Sequence, residues 1–131
     1  MNLMYYEGYN IAFLLHATIE IPAALIFMLF PSRQLGEYSP HAHAVVRQYA
    51  LSLLSSVLIS LVFMTRPDDD LSRAVAGSLA IYHTGPAFRS IARLWRLSAQ
   101  HGGLLLSEPF LYLVLHTVCG TLLFLFYLGY R

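Results

Sequence analysis

Charged residues are scarce in this chain: they make up 11% of its 131 residues, whereas hydrophobic residues make up 57%. Soluble domains usually carry about 25% charged residues, so a chain of this size could not hide so much apolar surface from water. Lysine is absent, and the eight basic residues are all arginine. The net charge of +1 argues against a nucleic acid as partner. These shortages predict an integral membrane protein that lies in the lipid bilayer.

Cysteine is almost missing, since Cys119 is the only one. A single cysteine excludes an internal disulfide and a metal site built from cysteines. No basic segment precedes the first apolar run, so no cleavable signal peptide is expected. Repeats, low-complexity tracts and linkers are missing as well. The sequence therefore predicts one domain over residues 1–131.

Four long apolar segments predict four transmembrane helices, because ~20 apolar residues in an α-helix cross a bilayer. The predicted helices cover residues 9–30, 43–64, 71–97 and 109–130. Asp70 or Ser72 is the expected N-cap of the third helix. The connections are short and favour antiparallel neighbours. The expected fold class is therefore all-α, an up-down-up-down four-helix bundle in the membrane.

Arginines near the helix ends indicate how the bundle crosses the membrane. The end with the first and third connections carries Arg33, Arg47, Arg89, Arg93 and Arg96. The end with both termini carries Arg66, Arg73 and Arg131. The positive-inside rule places the richer end in the cytosol. We therefore expect the termini in the lumen of the endoplasmic reticulum.

Glu20 is an ionisable residue in the middle of the first predicted span, one helical turn after His16. Such a group costs roughly 2.5–3.5 kcal/mol at the bilayer centre, so it needs a partner or a cavity. Spacings of four and seven place Tyr9, His16 and Glu20 on one stripe of a helix. Pro22 cannot donate a hydrogen bond to the carbonyl of Thr18, which exposes an acceptor near Glu20.

A similar combination occurs in the third predicted span. Tyr82 and His83 are followed by Gly85 and Pro86. Pro86 frees the carbonyl of Tyr82, and Gly85 removes bulk beside His83. Irregular backbone at membrane depth is tolerated where it packs against protein or lines a cavity. The pattern therefore predicts that this part of the helix packs against protein or lines a cavity.

Helix depth indicates which of the ionisable residues meet. At ~1.5 Å per residue, Glu20 and His83 fall near the middle of their helices, and His116 lies close to that level. A buried carboxyl group and a buried imidazole supply the acid and the base of general acid–base catalysis. The expected catalytic residues are Glu20, His83, His116, Arg47 and Tyr82, and the expected substrate-binding residues are Tyr9, His16 and Arg89.

Structural roles are the alternative for these residues. Glu20 could pair with Arg47 or with a histidine as a clamp between helices, and His116 could simply bond to a neighbouring helix. The side chain of Arg89 could extend to the lipid headgroups. A packing role predicts that the polar groups are tied directly to one another, whereas an enzyme requires a cavity beside them.

The second predicted span carries serine at every fourth position, at Ser52, Ser56 and Ser60, with Ser55 adjacent. Small residues at this spacing let helix backbones approach closely in lipid. The stripe therefore predicts close helix packing, and it is one candidate interface for a homodimer. A polar wall of a pocket is the alternative interpretation.

A metal or haem site is a further alternative. His16 and Glu20 could be two zinc ligands, completed by His83 or His116. His83 and His116 could also be the two axial ligands of a haem. The Glu-x-x-His pairs of di-iron bundles are absent. Neither a metal nor another cofactor is expected.

Two short segments carry a resemblance to known proteins. YHTGPAFRS (Tyr82–Ser90) and LHTVCG (Leu115–Gly120) resemble segments of small four-helix membrane proteins from fungal secondary-metabolite gene clusters. The most similar are membrane epoxide hydrolases and cyclases of polyene-pyrone polyketide pathways, of the citreoviridin and aurovertin type. The resemblance also covers the length and the four-span layout. It implies opening of an epoxide, with Glu20 and His83 as the acid/base pair.

A second similarity is to emopamil-binding-type sterol isomerases, which also place histidines and carboxylates inside a small membrane bundle. Their tryptophan-rich later helices are not matched, because Trp95 is the only tryptophan of this chain.

The expected function is therefore a membrane-embedded acid/base enzyme that acts on a lipophilic polyketide or terpenoid. The most fitting reaction is the opening of an epoxide by water or by an internal hydroxyl group. Two alternatives stay open: a sterol isomerase, and a non-catalytic protein that binds a lipophilic molecule or packs as a subunit of a membrane complex.

Overall fold

The computed structural model of this chain describes residues 4–6, 8–35, 38–98 and 107–130. These residues form the elements β1 (Tyr5–Tyr6), β2 (Tyr9–Asn10), α1 (Ile11–Leu29), α2 (Ser32–Leu35), α3 (Pro40–Phe63), α4 (Asp70–Ser98) and α5 (Glu108–Tyr127). The four predicted helices correspond to α1, α3, α4 and α5, with ends that differ by a few residues. The strands and the short helix α2 were not predicted. Most of the predicted third connection, residues 99–106, lies outside the described residues.

Three of the helices are long and apolar enough to cross a membrane, namely α1, α3 and α5. The longest described helix, α4, is not among them. Its 29 residues include Arg73, Arg89, Arg93 and Arg96 as well as Asp70, which lower its average hydropathy. The structure thus supports a helical membrane protein with three candidate spans, and the crossing of the membrane by α4 stays a prediction.

Asn10 sets the start of α1. Its side-chain Oδ1 accepts hydrogen bonds from the backbone N–H groups of Ala12 and Phe13, at 3.0 and 3.4 Å. This is the usual N-cap arrangement, which satisfies otherwise unpaired donors of the first turn. Tyr9 therefore lies before the helix, in β2, where it pairs with Tyr6 of β1. The predicted helical stripe of Tyr9, His16 and Glu20 is wrong for Tyr9, because helical spacing does not apply to a strand.

The first helix pair, α1 and α3, is antiparallel. The backbone N–H of Asn10 donates to the carbonyl of Met64 at 2.6 Å, which joins the start of α1 to the end of α3. Phe13 and Phe63 lie near this end with ring centroids 5.9 Å apart. α3 begins at Pro40, three residues earlier than predicted, because proline suits the first turn of a helix.

The second helix pair, α4 and α5, is also antiparallel. Arg93 of α4 lies 3.6 Å from Glu108 at the start of α5, and Gly77 of α4 lies against the ring of Tyr127 at the end of α5. The N-cap of α4 is Asp69, whose Oδ1 accepts from the Ser72 N–H at 2.7 Å. The prediction of Asp70 or Ser72 as the cap is wrong. Asp70 is already helical, and the hydroxyl of Ser72 donates to the carbonyl of Pro67 at 2.9 Å.

The two helix pairs belong to two compact units of the chain. One comprises residues 5–66, and the other comprises residues from 67 onward together with Met4. Each pair has its own tightly packed helix–helix interface, and each is described by itself below. The single domain and the four-helix arrangement expected from the sequence therefore stay predictions.

Candidate active site

Pro86 lies inside α4, as the sequence predicts, three residues after His83. Proline has no N–H to donate to the carbonyl four residues earlier, which is that of Tyr82. The hydroxyl of Thr84 donates to the neighbouring carbonyl of Ile81 at 2.7 Å. Polar backbone groups and side chains therefore concentrate on α4 around His83.

His83 and His116 form a direct hydrogen bond between α4 and α5. Their Nδ1 atoms are 3.0 Å apart, and the ring centroids are 5.3 Å apart. His83 is 1% exposed and His116 is 9% exposed. An N···N distance of 3.0 Å is that of a good hydrogen bond. The sequence predicted both residues for the site, and the second helix pair brings them together.

The Nδ1–Nδ1 contact links the protonation of the two rings. A neutral imidazole carries a proton on one nitrogen only. When both rings are neutral, one Nδ1 carries the shared proton and the other Nδ1 accepts it. The donor ring then has an unprotonated Nε2, and the acceptor ring has an Nε2–H. The pair therefore holds one basic and one acidic nitrogen at the same time.

A groove of about 510 Å³ runs along α4 and α5 beside this pair. Its volume falls within the range of small-molecule sites. The lining residues are Ala80, Ile81, His83, Thr84, Ala87, Phe88 and Ile91 of α4, and Leu113, His116, Thr117, Gly120, Thr121 and Phe124 of α5. The polar lining residues are the two histidines and the three threonines, and apolar side chains make up the rest. The groove thus suits a lipophilic molecule with an oxygen-containing group near the histidines.

Aromatic rings flank both histidines. Tyr82 meets His83 edge to face, with ring centroids 5.2 Å apart and an interplanar angle of 72°. Tyr112 lies one turn before His116, with centroids 6.5 Å apart and nearly parallel rings. Tyr82 is half-buried. Tyr82 thus contacts the ring of His83, whereas its predicted catalytic role stays a prediction.

Glu20 and His16, the other predicted polar residues, belong to the first helix pair. Both are buried, with exposed fractions of 1% and 0%. His16 Nε2 lies 3.2 Å from Ser56 Oγ of α3, and that hydroxyl donates to the carbonyl of Leu53 at 2.7 Å. Because the hydroxyl proton points to Leu53, His16 is the donor to Ser56. His16 therefore ties α1 to α3, and its predicted substrate-binding role stays a prediction.

Ser56 was not among the site residues predicted from the sequence. The signal was the serine stripe of α3, which predicted close helix packing. Ser56 contacts α1 through His16, and Ser60 is fully buried. The exposed Ser52 and Ser55 instead donate to carbonyls of their own helix, those of Gln48 and Leu51. The packing interpretation is thus supported for Ser56, and the homodimer stays a prediction.

Three predicted site residues are exposed and do not line the groove, namely Tyr9, Arg47 and Arg89. Tyr9 and Arg47 belong to the first helix pair. Arg89 lies on α4, outside the groove-lining stripe that includes Thr84 and Ala87, but close enough for its positive charge to act on His116.

The spacing of the two histidines bears on the haem alternative. Two nitrogens on opposite sides of one metal ion lie ~4 Å apart, because each metal–nitrogen bond is ~2.0–2.1 Å long. The 3.0 Å between His83 Nδ1 and His116 Nδ1 is a hydrogen-bond distance instead. The zinc alternative with His16 and Glu20 draws on both helix pairs and stays a prediction.

Comparisons of the chain with protein-family models, with curated proteins and with solved structures found no match. Nothing in them tests the resemblance to membrane epoxide hydrolases and cyclases. The geometry of the second helix pair is therefore the basis for a proposed function.

Proposed function

We propose that this protein is a membrane-embedded acid/base enzyme whose lipophilic substrate binds in the groove between α4 and α5. The single observation that supports the proposal is the His83–His116 hydrogen bond at 3.0 Å in the wall of that groove. Two neutral imidazoles joined in this way hold an acid and a base side by side. General acid–base catalysis requires both, with pKa values near the working pH.

The proposed reaction is the opening of an epoxide by water or by an internal hydroxyl group. The bare Nε2 of one histidine takes a proton from the attacking O–H group while its oxygen forms a bond to an epoxide carbon. The Nδ1 proton of that ring passes to the other ring, whose Nε2–H protonates the leaving epoxide oxygen as the C–O bond breaks. Protons and charge balance within the pair.

Other residues have supporting roles in this proposal. Tyr82 borders His83 and can donate a hydrogen bond to oxygen as charge develops there. Glu20 is proposed as a further proton carrier, and Arg47 as a residue that stabilises negative charge; these two roles derive from the sequence. Substrate-binding roles for Tyr9, His16 and Arg89 have no support from the groove.

The membrane arrangement in this proposal has four spans. The helix α4 crosses the bilayer with its arginines near the ends and His83 inside, and the two helix pairs form an up-down-up-down bundle. The termini lie in the lumen of the endoplasmic reticulum. Cysteine accessibility to a membrane-impermeant maleimide, with Cys119 replaced and single cysteines placed near residues 67 and 130, tests this topology. Labelling of the two positions from opposite sides of the membrane would contradict it.

Turnover of lipophilic epoxides tests the function. The purified protein in detergent is incubated with a panel of internal epoxides in ¹⁸O-water, and products are followed by mass spectrometry. A mass gain of one ¹⁸O indicates attack by water, whereas cyclisation leaves the mass unchanged. His83→Gln and His116→Gln should each lose ~10²–10⁴ in rate, the usual contribution of a positioned acid or base.

The matched control is His43→Gln, because His43 is also a buried histidine but lies on α3 and not in the groove. Its turnover should stay close to that of the unchanged protein. Equal losses in all three variants, or none in the first two, would contradict the role of the pair. Binding of epoxides without any turnover would instead support the non-catalytic alternative.

The same pair also fits a second reaction, the shift of a double bond. That isomerisation removes a proton from one carbon and adds one to another, which needs a base and an acid on the same side of the substrate. The observation that favours it is again the paired Nδ1 atoms. Incubation of a sterol olefin in deuterated water distinguishes this reaction, because only isomerisation leaves one deuterium on carbon.

A further inference from the structure

Gly120 is a position at which the backbone of α5 packs closely against His83. A Cβ atom built on Gly120 would lie 3.1 Å from His83 Cβ, 3.7 Å from the carbonyl oxygen of Ala80 and 3.9 Å from His83 Cγ. The first distance is shorter than nearly all real contacts of this kind, so its neighbour would have to move by a few tenths of an ångström. That neighbour is His83 Cβ, which is bonded directly to the backbone of α4 and cannot rotate away.

The position of Gly120 relative to His116 makes this contact relevant to the histidine pair. Gly120 follows His116 by four residues, so both lie on the same face of α5. His83 is therefore held between the bare backbone at Gly120 and the imidazole of His116. A side chain at position 120 would press on His83 Cβ and Cγ, from which the ring that makes the Nδ1–Nδ1 bond extends.

We infer that Gly120 is a positioning residue for the His83–His116 pair: the missing side chain sets the distance at which the two Nδ1 atoms share a proton. The inference rests on the proposed function only where activity is the readout. Lengthening the present 3.0 Å by a few tenths of an ångström takes the contact beyond the usual hydrogen-bond range of ~2.7–3.2 Å. The two rings would then no longer share a proton.

Alanine at position 120 separates this role from a general role in folding. Alanine is a better helix former than glycine, so helix propensity favours Gly120→Ala. Gly85→Ala is the matched control, because a Cβ on Gly85 meets no atom within 4 Å. It lies on the same helix as His83, two residues away, and it adds the same methyl group.

The first measurement is nitrogen NMR of the ¹⁵N-histidine-labelled full-length protein in detergent. The unchanged protein and Gly85→Ala should show one pair of ring nitrogens with a scalar coupling across an N–H···N hydrogen bond. His83→Gln and His116→Gln assign these signals. In Gly120→Ala the coupling should disappear while the helical circular dichroism is retained. A retained coupling in Gly120→Ala would overturn the inference, as would its equal loss in Gly85→Ala.

The second measurement is turnover. Gly120→Ala should lower the rate at least about tenfold, and Gly85→Ala by less than about twofold. In the background of His116→Gln, Gly120→Ala should add no further loss, because residues that act through one another are not additive. If no variant and no unchanged protein turns over epoxides, the proposed function fails, while the NMR result still decides the role of Gly120. Unfolding of Gly120→Ala, seen as loss of the helical circular dichroism while Gly85→Ala stays folded, would also overturn the inference, because Gly120 would then be needed for folding rather than for the position of the pair.

Discussion

Each of the two helix pairs buries a hydrogen bond between its helices in which a histidine takes part, but the partner of the histidine differs. In the first pair, His16 donates to Ser56, and the hydroxyl passes its own proton to the carbonyl of Leu53. The chain of hydrogen bonds ends at a backbone acceptor that cannot be protonated at neutral pH. In the second pair, His83 bonds to His116, and each ring has another nitrogen. The first arrangement holds helices together, whereas the second can move a proton.

The surroundings of the histidines also differ between the two helix pairs. His16 is fully buried, and its contact lies within the interface of α1 and α3. His83 and His116 are also buried, yet they form part of the wall of a groove of about 510 Å³. The contact of His16 stabilises the packing of two helices, whereas the contact of His83 and His116 lies beside a cavity and is a candidate for chemistry.

The strongest way to break this comparison is to replace one histidine of each pair by asparagine. His83→Asn should lower the rate of epoxide opening by ~10²–10⁴, because it removes one member of the acid/base couple. His16→Asn should leave the rate within about twofold and lower the thermal stability, because it acts on packing. Initial rates and melting curves in the same detergent check both. A larger rate loss for His16→Asn would reverse the assignment.

A methyl group added at Gly77 should have the next largest effect. It should lower the stability of the protein and leave the hydrogen bond of His83 and His116 unchanged. A Cβ there would lie 2.8 Å from the Tyr127 ring, so Gly77→Ala overpacks the interface of α4 and α5. Overpacking typically costs ~1–3 kcal/mol. Unfolding in detergent, compared with the open position in Gly85→Ala, measures the difference. Tyr127→Ala in the Gly77→Ala background should restore part of the loss, and no restoration would place the strain elsewhere.

Ser56→Ala sharpens the description of the first pair. It leaves the buried His16 Nε2 without its acceptor, a loss that costs roughly 1–3 kcal/mol when the remaining group stays buried. Ser52→Ala is the matched control, since Ser52 is exposed and bonds only within α3. Urea unfolding of the two variants should differ by about that amount. Equal stabilities would mean that the His16–Ser56 contact contributes nothing.

Substitutions of the N-cap residues of α1 and α4 should have the smallest effect on stability. Asp69→Ala removes the acceptor of the Ser72 N–H and should cost about 1 kcal/mol. Asp70→Ala, one position later, removes no such acceptor and should cost less. Asn10→Ala should resemble Asp69→Ala, because Asn10 caps α1 in the same way. Thermal unfolding checks the order, and a larger loss for Asp70→Ala would restore Asp70 as the cap.

Much of the helical framework could be predicted from the sequence, because long apolar runs between prolines and polar residues leave few alternatives. His83 was also predictable, since a histidine beside Gly85 and Pro86 in an apolar run is unusual. For His83 and His116, the sequence predicted only that they lie at a similar depth in the membrane. Helix rise gives the level of a residue, but the contact depends on the faces that α4 and α5 turn to each other.

Other features depended on single atoms that sequence patterns do not resolve. The predicted first helix includes Tyr9, whereas α1 begins at Ile11 after the N-cap Asn10. Asparagine before an apolar run is a common start signal of a helix. Asp69, Asp70 and Ser72 are all good caps, and only the geometry of the turn selects Asp69. The close approach at Gly120 has no signature in the sequence, because a helical glycine in a membrane segment has many uses.

In the proposed mechanism, each turnover exchanges the tautomers of His83 and His116. Each proton that passes from one ring to the other leaves the former base as the acid and the former acid as the base. A second substrate bound in the same orientation thus meets the inverted state, and two protons must be exchanged with solvent before the next cycle. Rapid mixing should therefore show a burst of one product per chain, followed by a slower phase that slows further in deuterated water.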